Sequence, residues 1–198
     1  MERPPLWAKI TDGINVLVWR APLSHRWKRV LSGSIYRNPP ISEARVVETL
    51  DALEHEGVET CCMGGWGVDA LVGEQTRKHR DLDLIVAPQH RDAALRTLAE
   101  LGFKKWYEQE SADDPMENRI VVRDRGMRVV DVHPVDAEAA GFSLVSGSIG
   151  GRKVKCPSAE QQIRDQERFP KRLPHERRSQ RSNTEVARRA LETDSGSS

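Results

Sequence analysis

The chain has 198 residues, of which 37% are apolar and 31% are charged, and its formal net charge at pH 7 is +1. This balance excludes a protein that binds nucleic acid by charge alone, and the length is sufficient for one folded domain with terminal extensions. Three cysteines are too few for a disulfide framework, and the most apolar stretch, residues 14–19, is far shorter than the roughly 20 residues that span a bilayer. We therefore expect a cytoplasmic protein without a membrane-spanning segment.

Residues 1–40 are expected to form an extension that precedes the folded domain. The segment contains Trp7, Trp19 and Trp27 among basic residues, and proline pairs, which mark structural boundaries, lie near both of its ends. Basic residues also outnumber acidic ones in residues 152–198, whereas the middle of the chain is acidic. The charged ends could pack on the acidic middle, contact a polyanion or remain in solvent.

The spacing of apolar residues predicts a folded domain over residues 41–157. Helices are predicted from Ser42 to Gly57, over residues 66–71, and from Pro88 to Gly102. Strands are predicted at residues 58–63, 81–86, 103–108, 119–123, 127–135 and 153–156, with a hairpin joining the fourth and fifth. This order indicates an α/β or α+β fold in which helices flank a small mixed sheet. Residues 158–198 are predicted to add one helix and a basic, partly disordered tail.

Three aspartates give the first chemical signal in the predicted sheet. Asp81 and Asp83 are separated by one residue on a strand, so both carboxylates project from the same face while Leu82 faces the core. Like charges this close repel each other unless they are solvated or share a divalent cation such as Mg²⁺. These two residues alone fit both a solvated strand face and a metal site.

Asp131 lies in the apolar run of the predicted hairpin, where a buried carboxylate needs a partner or a metal. A salt bridge to Arg128 or another arginine would make the residue structural. With three acids on adjacent strands, a shared Mg²⁺ is the better interpretation. We therefore predict a metal site formed by Asp81, Asp83 and Asp131.

A glycine turn and a cationic loop precede the acids. Gly64 and Gly65 connect a strand with a short helix, where backbone N–H groups can approach a phosphate, although most such turns are structural. Arg77 and His79 come directly before the acid pair, and the planar fork of an arginine matches phosphate oxygens. The alternative is a solvated loop in which Arg77 pairs with a nearby acid.

These motifs together resemble the lincosamide and 2''-aminoglycoside nucleotidyltransferases, which share the polymerase β-type palm. The resemblance is carried by residues 64–71, by the Thr-Arg-x-His and Asp-x-Asp patterns of residues 76–83, and by the Asp-x-His-Pro pattern of residues 130–135. It covers residues 58–156 and implies a nucleotidyltransferase fold between N- and C-terminal extensions.

The resemblance also implies a reaction and a role for each residue. An enzyme of this kind transfers a nucleoside monophosphate, here expected to be AMP, from a nucleoside triphosphate to a hydroxyl group and releases pyrophosphate. Asp81 and Asp83 would hold Mg²⁺ on the triphosphate, and Asp131 would be a metal ligand or the general base. The resemblance assigns nucleotide binding to Gly64, Gly65, Arg77 and His79.

These motifs do not identify the molecule that accepts the nucleotide. A small molecule, such as a lincosamide or an aminoglycoside, is the first alternative, although the basic residues after Cys156 would repel a polycationic drug. An RNA or protein acceptor is the second, because tryptophans and arginines in the two ends could contact a nucleic acid. The third is an inactive module that binds a nucleotide.

Overall fold

A computed structural model describes residues 38–111, 115–168 and 174–195 of the protein. Residues 1–37 lie outside these ranges, so the expected N-terminal extension is almost entirely outside the described residues, as is the tail after Ser195. Within the described ranges, no helix is both long and apolar enough to cross a membrane.

The described chain forms five helices and seven strands, with short 3₁₀ turns at Pro88–His90 and Pro115–Glu117. The helices are α1 (Glu43–His55), α2 (Gly64–Val72), α3 (Arg91–Glu100), α4 (Ala159–Arg168) and α5 (Pro174–Ser195). The strands are β1 (Thr60–Met63), β2 (Asp81–Val86), β3 (Lys104–Gln109), β4 (Arg119–Arg123), β5 (Val129–Pro134), β6 (Leu144–Ile149) and β7 (Arg152–Pro157).

Local sequence explains where the first helix begins and what it buries. The hydroxyl of Ser42 accepts a hydrogen bond from the Arg45 backbone N–H at 3.3 Å, as expected of an N-cap residue. Val46, Leu50 and Leu53 recur at helical spacing and are fully buried against the sheet. The predicted helix beginning at Ser42 is therefore confirmed.

All seven strands form one mixed sheet in the order β3-β4-β5-β2-β1-β7-β6. The pairs β2–β5 and β1–β7 are parallel, and the other neighbours are antiparallel. The mixed α/β sheet expected from the sequence is confirmed. Because β5 lies directly beside β2, the acidic residues of these two strands meet in the middle of the sheet.

The two faces of the sheet have different roles. Leu82 and Leu84 project into the main hydrophobic core, where residues of α1, α2 and α3 cover the sheet. Ile85 belongs to a smaller cluster on the opposite face. Since side chains alternate along a strand, Asp81 and Asp83 lie on this second face.

The structure differs from the sequence-based expectation in three elements. Strand β6 was not predicted, although it pairs along its whole length with β7. Helix α5 extends over Pro174–Ser195, where only a polar tail was expected, and it packs against α2 and α4. Gly64 and Gly65 form the first turn of α2, so they do not make a separate turn before it.

Candidate active site

The acidic residues of β2 and β5 come together because the strands are parallel neighbours. Asp83 and Asp131 are directly paired in register and lie on the same face of the sheet. Asp131 is 7% exposed, whereas Asp83 is partly buried and Asp81 is exposed at the beginning of β2. Burial of the carboxylates therefore increases from Asp81 through Asp83 to Asp131.

One group of side chains has the geometry needed to hold a metal ion. Asp83, Asp131 and His133 each offer a ligand atom, and these atoms all lie within 4.8 Å of one another. His133 follows Asp131 by two residues on β5 and therefore projects from the same face. Asp81 stays a predicted ligand at the exposed rim of this group.

Arg119 on β4 is the arginine that pairs with Asp131. Its Nη1 donates to Asp131 Oδ2 at 3.1 Å, and its guanidinium lies 5.9 Å from the centre of the Tyr107 ring. Arg128, the partner considered from sequence, instead binds Asp124 at 2.6 Å. Asp131 therefore belongs both to the salt bridge and to the metal-ligand group, and Arg119 binds its Oδ2 atom.

Sequence reasoning missed Arg119, although a signal for it exists. In the β4–β5 hairpin Val121 is paired with Asp131, so Arg119 projects from the same face and reaches Asp131 diagonally. A register assigned to the predicted hairpin would have identified the arginine.

The first turn of α2 approaches the acids so closely that it requires glycine. Gly64 has a φ of +59°, and a Cβ atom there would lie 2.1 Å from Asp83 Oδ2. A Cβ atom on Gly65 would lie 2.1 Å from His79 Nδ1. Met63, at the N-cap position of α2, makes no side-chain hydrogen bond to the helix, and the first backbone N–H groups of α2 lie beside Asp83.

His79 lies behind the glycines in a buried polar network. It is 1% exposed, and its Nε2 is hydrogen-bonded to Asp69 Oδ2. The Thr76 hydroxyl donates to the other Asp69 oxygen at 2.5 Å, and the Trp66 ring centre lies 4.9 Å from that of His79. Asp69 thus supports the His79 ring from within the fold, and nucleotide binding by His79 stays a prediction.

Arg77 lies between the glycine turn and the C-terminal helix. Its Nη2 donates to Asn183 Oδ1 on α5 at 2.9 Å and would lie 3.0 Å from a Cβ atom on Gly65. Burial lowers the pKa of the Arg77 guanidinium, and the charges of nearby carboxylates, chiefly that of Asp81, oppose this shift. Asn183 is a further site residue that the sequence did not indicate.

The parts of the site suit a substrate that carries both a metal ion and phosphates. Carboxylates can bind a divalent cation, while the N-terminus of α2 and Arg77 can bind anionic oxygens a short distance away. A metal–triphosphate complex has this combination of charges.

Comparison with known proteins agrees with this geometry. Residues 45–175 match the sequence model of the aminoglycoside-2''-adenylyltransferase family. A lincosamide resistance protein of Staphylococcus haemolyticus is 28% identical over 146 residues, which is 64% of this chain and 85% of the relative.

Two solved structures extend the comparison to the fold. The lincosamide antibiotic adenylyltransferase LnuA, solved with bound lincomycin, is 25% identical and aligns with a TM-score of 0.57 over 74% of this chain and 98% of its own. ANT(2'')-Ia in complex with adenylyl-2''-tobramycin is 22% identical, with a TM-score of 0.58 over 75% of this chain and 88% of its own, and supports the fold alone. The acids, the glycine turn and the match to the family model together show that the chain belongs to the aminoglycoside-2''-adenylyltransferase family and is a nucleotidyltransferase.

Proposed function

We propose that the enzyme transfers AMP from ATP, in a Mg²⁺-dependent reaction, to a hydroxyl group of a small-molecule acceptor. The proposal rests on the direct pairing of Asp83 with Asp131 beside Gly64 and Gly65, where a larger side chain would not fit. It places carboxylates next to backbone N–H groups, as a metal–triphosphate complex requires.

Each residue has a defined part in the proposed reaction. Asp81, Asp83 and Asp131 would hold Mg²⁺, which neutralises charge on the triphosphate. The backbone N–H groups at Gly64 and Gly65 bind phosphate oxygens, and Arg77 binds a further phosphate oxygen. His79, buried beneath the glycine turn, contributes to nucleotide binding by supporting that turn.

The bonds change as in an in-line displacement at phosphorus. The acceptor oxygen forms a bond to the α-phosphorus with its lone pair, and the bond from that phosphorus to the bridging oxygen breaks. Pyrophosphate leaves with those electrons. The acceptor's hydroxyl proton passes to Asp131, which we propose as the general base.

The acceptor proposed first is a lincosamide. The similar resistance protein and LnuA are both named for lincosamides. Helix α5 presents the exposed basic side chains Arg177, Arg178, Arg181 and Arg188, which disfavour a polycationic aminoglycoside by charge repulsion. The same four arginines favour RNA as the second candidate acceptor.

The test is a transfer assay with α-labelled ATP, GTP, CTP and UTP, with and without Mg²⁺. Lincomycin, an aminoglycoside and bulk tRNA are offered separately as acceptors. The proposal predicts label on lincomycin, from ATP, in the presence of Mg²⁺. Asp83→Ala should lose this transfer, whereas the matched variant Asp92→Ala, at an exposed aspartate on α3, should retain it.

Each alternative gives a different outcome in this assay. Label on tRNA that disappears as salt is raised would favour the nucleic-acid acceptor. Nucleotide binding without label on any acceptor would favour an inactive binding module. Equal transfer by wild type and Asp83→Ala would contradict the proposed site.

A further inference from the structure

We propose that His133 is a direct ligand of the divalent cation, in addition to the carboxylates proposed above, so that the site prefers Mn²⁺ to Mg²⁺. The inference rests on the proposed function, because it concerns the cation of the same site. It adds a nitrogen ligand to a site otherwise made of carboxylates.

The spacing of the three side chains fits one shared ion. Their ligand atoms lie within 4.8 Å of one another, and His133 Nε2 is 3.9 Å from Asp131 Oδ1. This separation is too long for a hydrogen bond. Ligands about 2.1 Å from a common ion lie roughly 3–4 Å from each other, so a cation between these atoms needs little rearrangement.

The surroundings of His133 leave its ring available to such an ion. The side chain is 12% exposed, and within the described ranges its buried Nδ1 has no hydrogen-bond partner. Buried imidazoles are normally fixed by hydrogen bonds that select one ring orientation. The nitrogen that faces Asp131 is Nε2, and no hydrogen bond fixes it to that carboxylate, so it can bind an ion between the two side chains.

Arg119 fixes the carboxylate that would share the ion with His133. It donates to Asp131 Oδ2 at 3.1 Å, and the other oxygen, Oδ1, is the one near the imidazole. The two oxygens of Asp131 therefore face different partners. The residues that would hold an ion at Oδ1 are therefore His133 and Asp83, the paired residue of β2.

A nitrogen ligand changes which metal the site prefers. Mg²⁺ favours oxygen ligands and gives up its water reluctantly, whereas transition-metal ions accept imidazole readily. An all-carboxylate site would show little preference for Mn²⁺. Replacing His133 by a carboxylate should therefore retain the ion and shift the preference back towards Mg²⁺.

The test uses the full-length, nucleotide-free protein with Mn²⁺ alone. Binding is followed by the loss of the electron paramagnetic resonance signal of free Mn²⁺, and nitrogen coordination by electron spin echo modulation from ¹⁴N. Wild type should show ¹⁴N modulation. His133→Phe should lose it and bind Mn²⁺ at least about tenfold more weakly, since even outer-shell partners of metal ligands contribute this much.

Three variants control the result. His55→Phe, at a histidine in the last turn of α1, should behave as wild type. His133→Asp should bind Mn²⁺ without ¹⁴N modulation and show a smaller ratio of Mn²⁺ to Mg²⁺ affinity. Asp83→Asn should weaken binding as strongly as His133→Phe does.

The inference and the proposed function can fail separately. If His133→Phe retains both the ¹⁴N modulation and the Mn²⁺ affinity, while wild type still transfers AMP, the ligand assignment is overturned and the function stands. If the modulation depends on His133 but wild type transfers nothing to any acceptor, the ligand assignment is supported and the function is not.

Discussion

Two adjacent glycines are required for different physical reasons. Gly64 combines a positive φ with a close approach to Asp83, whereas Gly65 has no positive φ and is restricted by His79 and Arg77. A side chain at position 65 would therefore displace two groups proposed to support the triphosphate.

Gly65→Ala should raise the KM for ATP more than it changes the KM for the acceptor. We also expect a loss of about 1–3 kcal/mol in the free energy of unfolding, as for other overpacked sites. Steady-state kinetics and urea denaturation measure the two effects. Gly73→Ala is the matched control, because nothing lies within 4 Å of a Cβ atom at position 73. The positive φ of this residue should make Gly73→Ala less stable by about 1–2 kcal/mol, and its KM values should be unchanged. Equal KM values in wild type and Gly65→Ala would refute this role of the glycine.

At the scale of elements, α5 connects the end of the chain to the proposed nucleotide site. Asn183 is 8% exposed and accepts a hydrogen bond from Arg77, whose Nη2 would lie 3.0 Å from a Cβ atom on Gly65. The helix thereby fixes the direction of an arginine that we propose to bind phosphate.

Asn183→Leu should raise the KM for ATP several-fold with little change in kcat, because Arg77 loses the oxygen that orients it. Asn183→Asp keeps an acceptor oxygen and should restore the KM. Thr184→Val, which removes a hydroxyl bonded within α5, should leave both constants unchanged. A purely structural role would be indicated if Asn183→Leu and Asn183→Asp lowered the melting temperature equally and left the KM for ATP unchanged.

The elements differ in how far the sequence predicts them. Helix α1 has an N-cap residue and a periodic apolar face, and β2 alternates acidic and apolar residues, so both elements can be predicted from their local sequence. Strand β6 contains two serines and a glycine, which do not favour a strand, and it is held in the sheet by its pairing with β7. Helix α5 is mostly polar and buries few apolar residues, among them Val186 and Ala187, so its position depends on contacts with α2.

The same distinction holds for the site. The three aspartates, the two glycines and Arg77 were predicted because each lies in a short motif, and the structure brings them to one region. Arg119 and Asn183 belong to no motif. Their contacts depend on hairpin register and on helix packing, which a single sequence does not specify.

At the scale of the whole molecule, three buried thiols link stability to pH. Cys61, Cys62 and Cys156 are free and buried. Burial raises the pKa of Cys61 from an ordinary value of 9.0 to about 12 and that of Cys156 to about 11, and it raises that of Cys62 as well. Well below pH 9 the thiols are protonated in both states, so their ionisation does not make the stability depend on pH.

Above about pH 9 the unfolded chain ionises its thiols while the folded chain does not, so the free energy of unfolding should fall as pH rises. Urea denaturation at pH 7.5 and pH 10 measures this fall. The triple variant Cys61→Ala, Cys62→Ala, Cys156→Ala should be less stable at pH 7.5 but should lose less stability between the two pH values. The same decrease in both proteins would exclude the thiols as its cause.

The division of the chain into residues 1–40, 41–157 and 158–198 is also a proposal about the whole molecule. Deletion of residues 1–38 should leave transfer to a small acceptor unchanged, because every residue proposed for the site lies beyond the deletion. Transfer to RNA should weaken if the basic, tryptophan-containing segment binds that acceptor. Equal losses for both kinds of acceptor would place the segment within the catalytic domain.

If Asp83 and Asp131 support attack on the α-phosphorus of ATP, the products must be pyrophosphate and an AMP adduct of the acceptor. The measurement is the ratio of pyrophosphate released to acceptor adduct formed, with the adduct identified by mass spectrometry. We expect one pyrophosphate for each lincomycin that gains AMP, and neither product with Asp83→Ala. Release of ADP together with a phosphorylated acceptor would show attack at the γ-phosphorus and would exclude the proposed transfer of AMP.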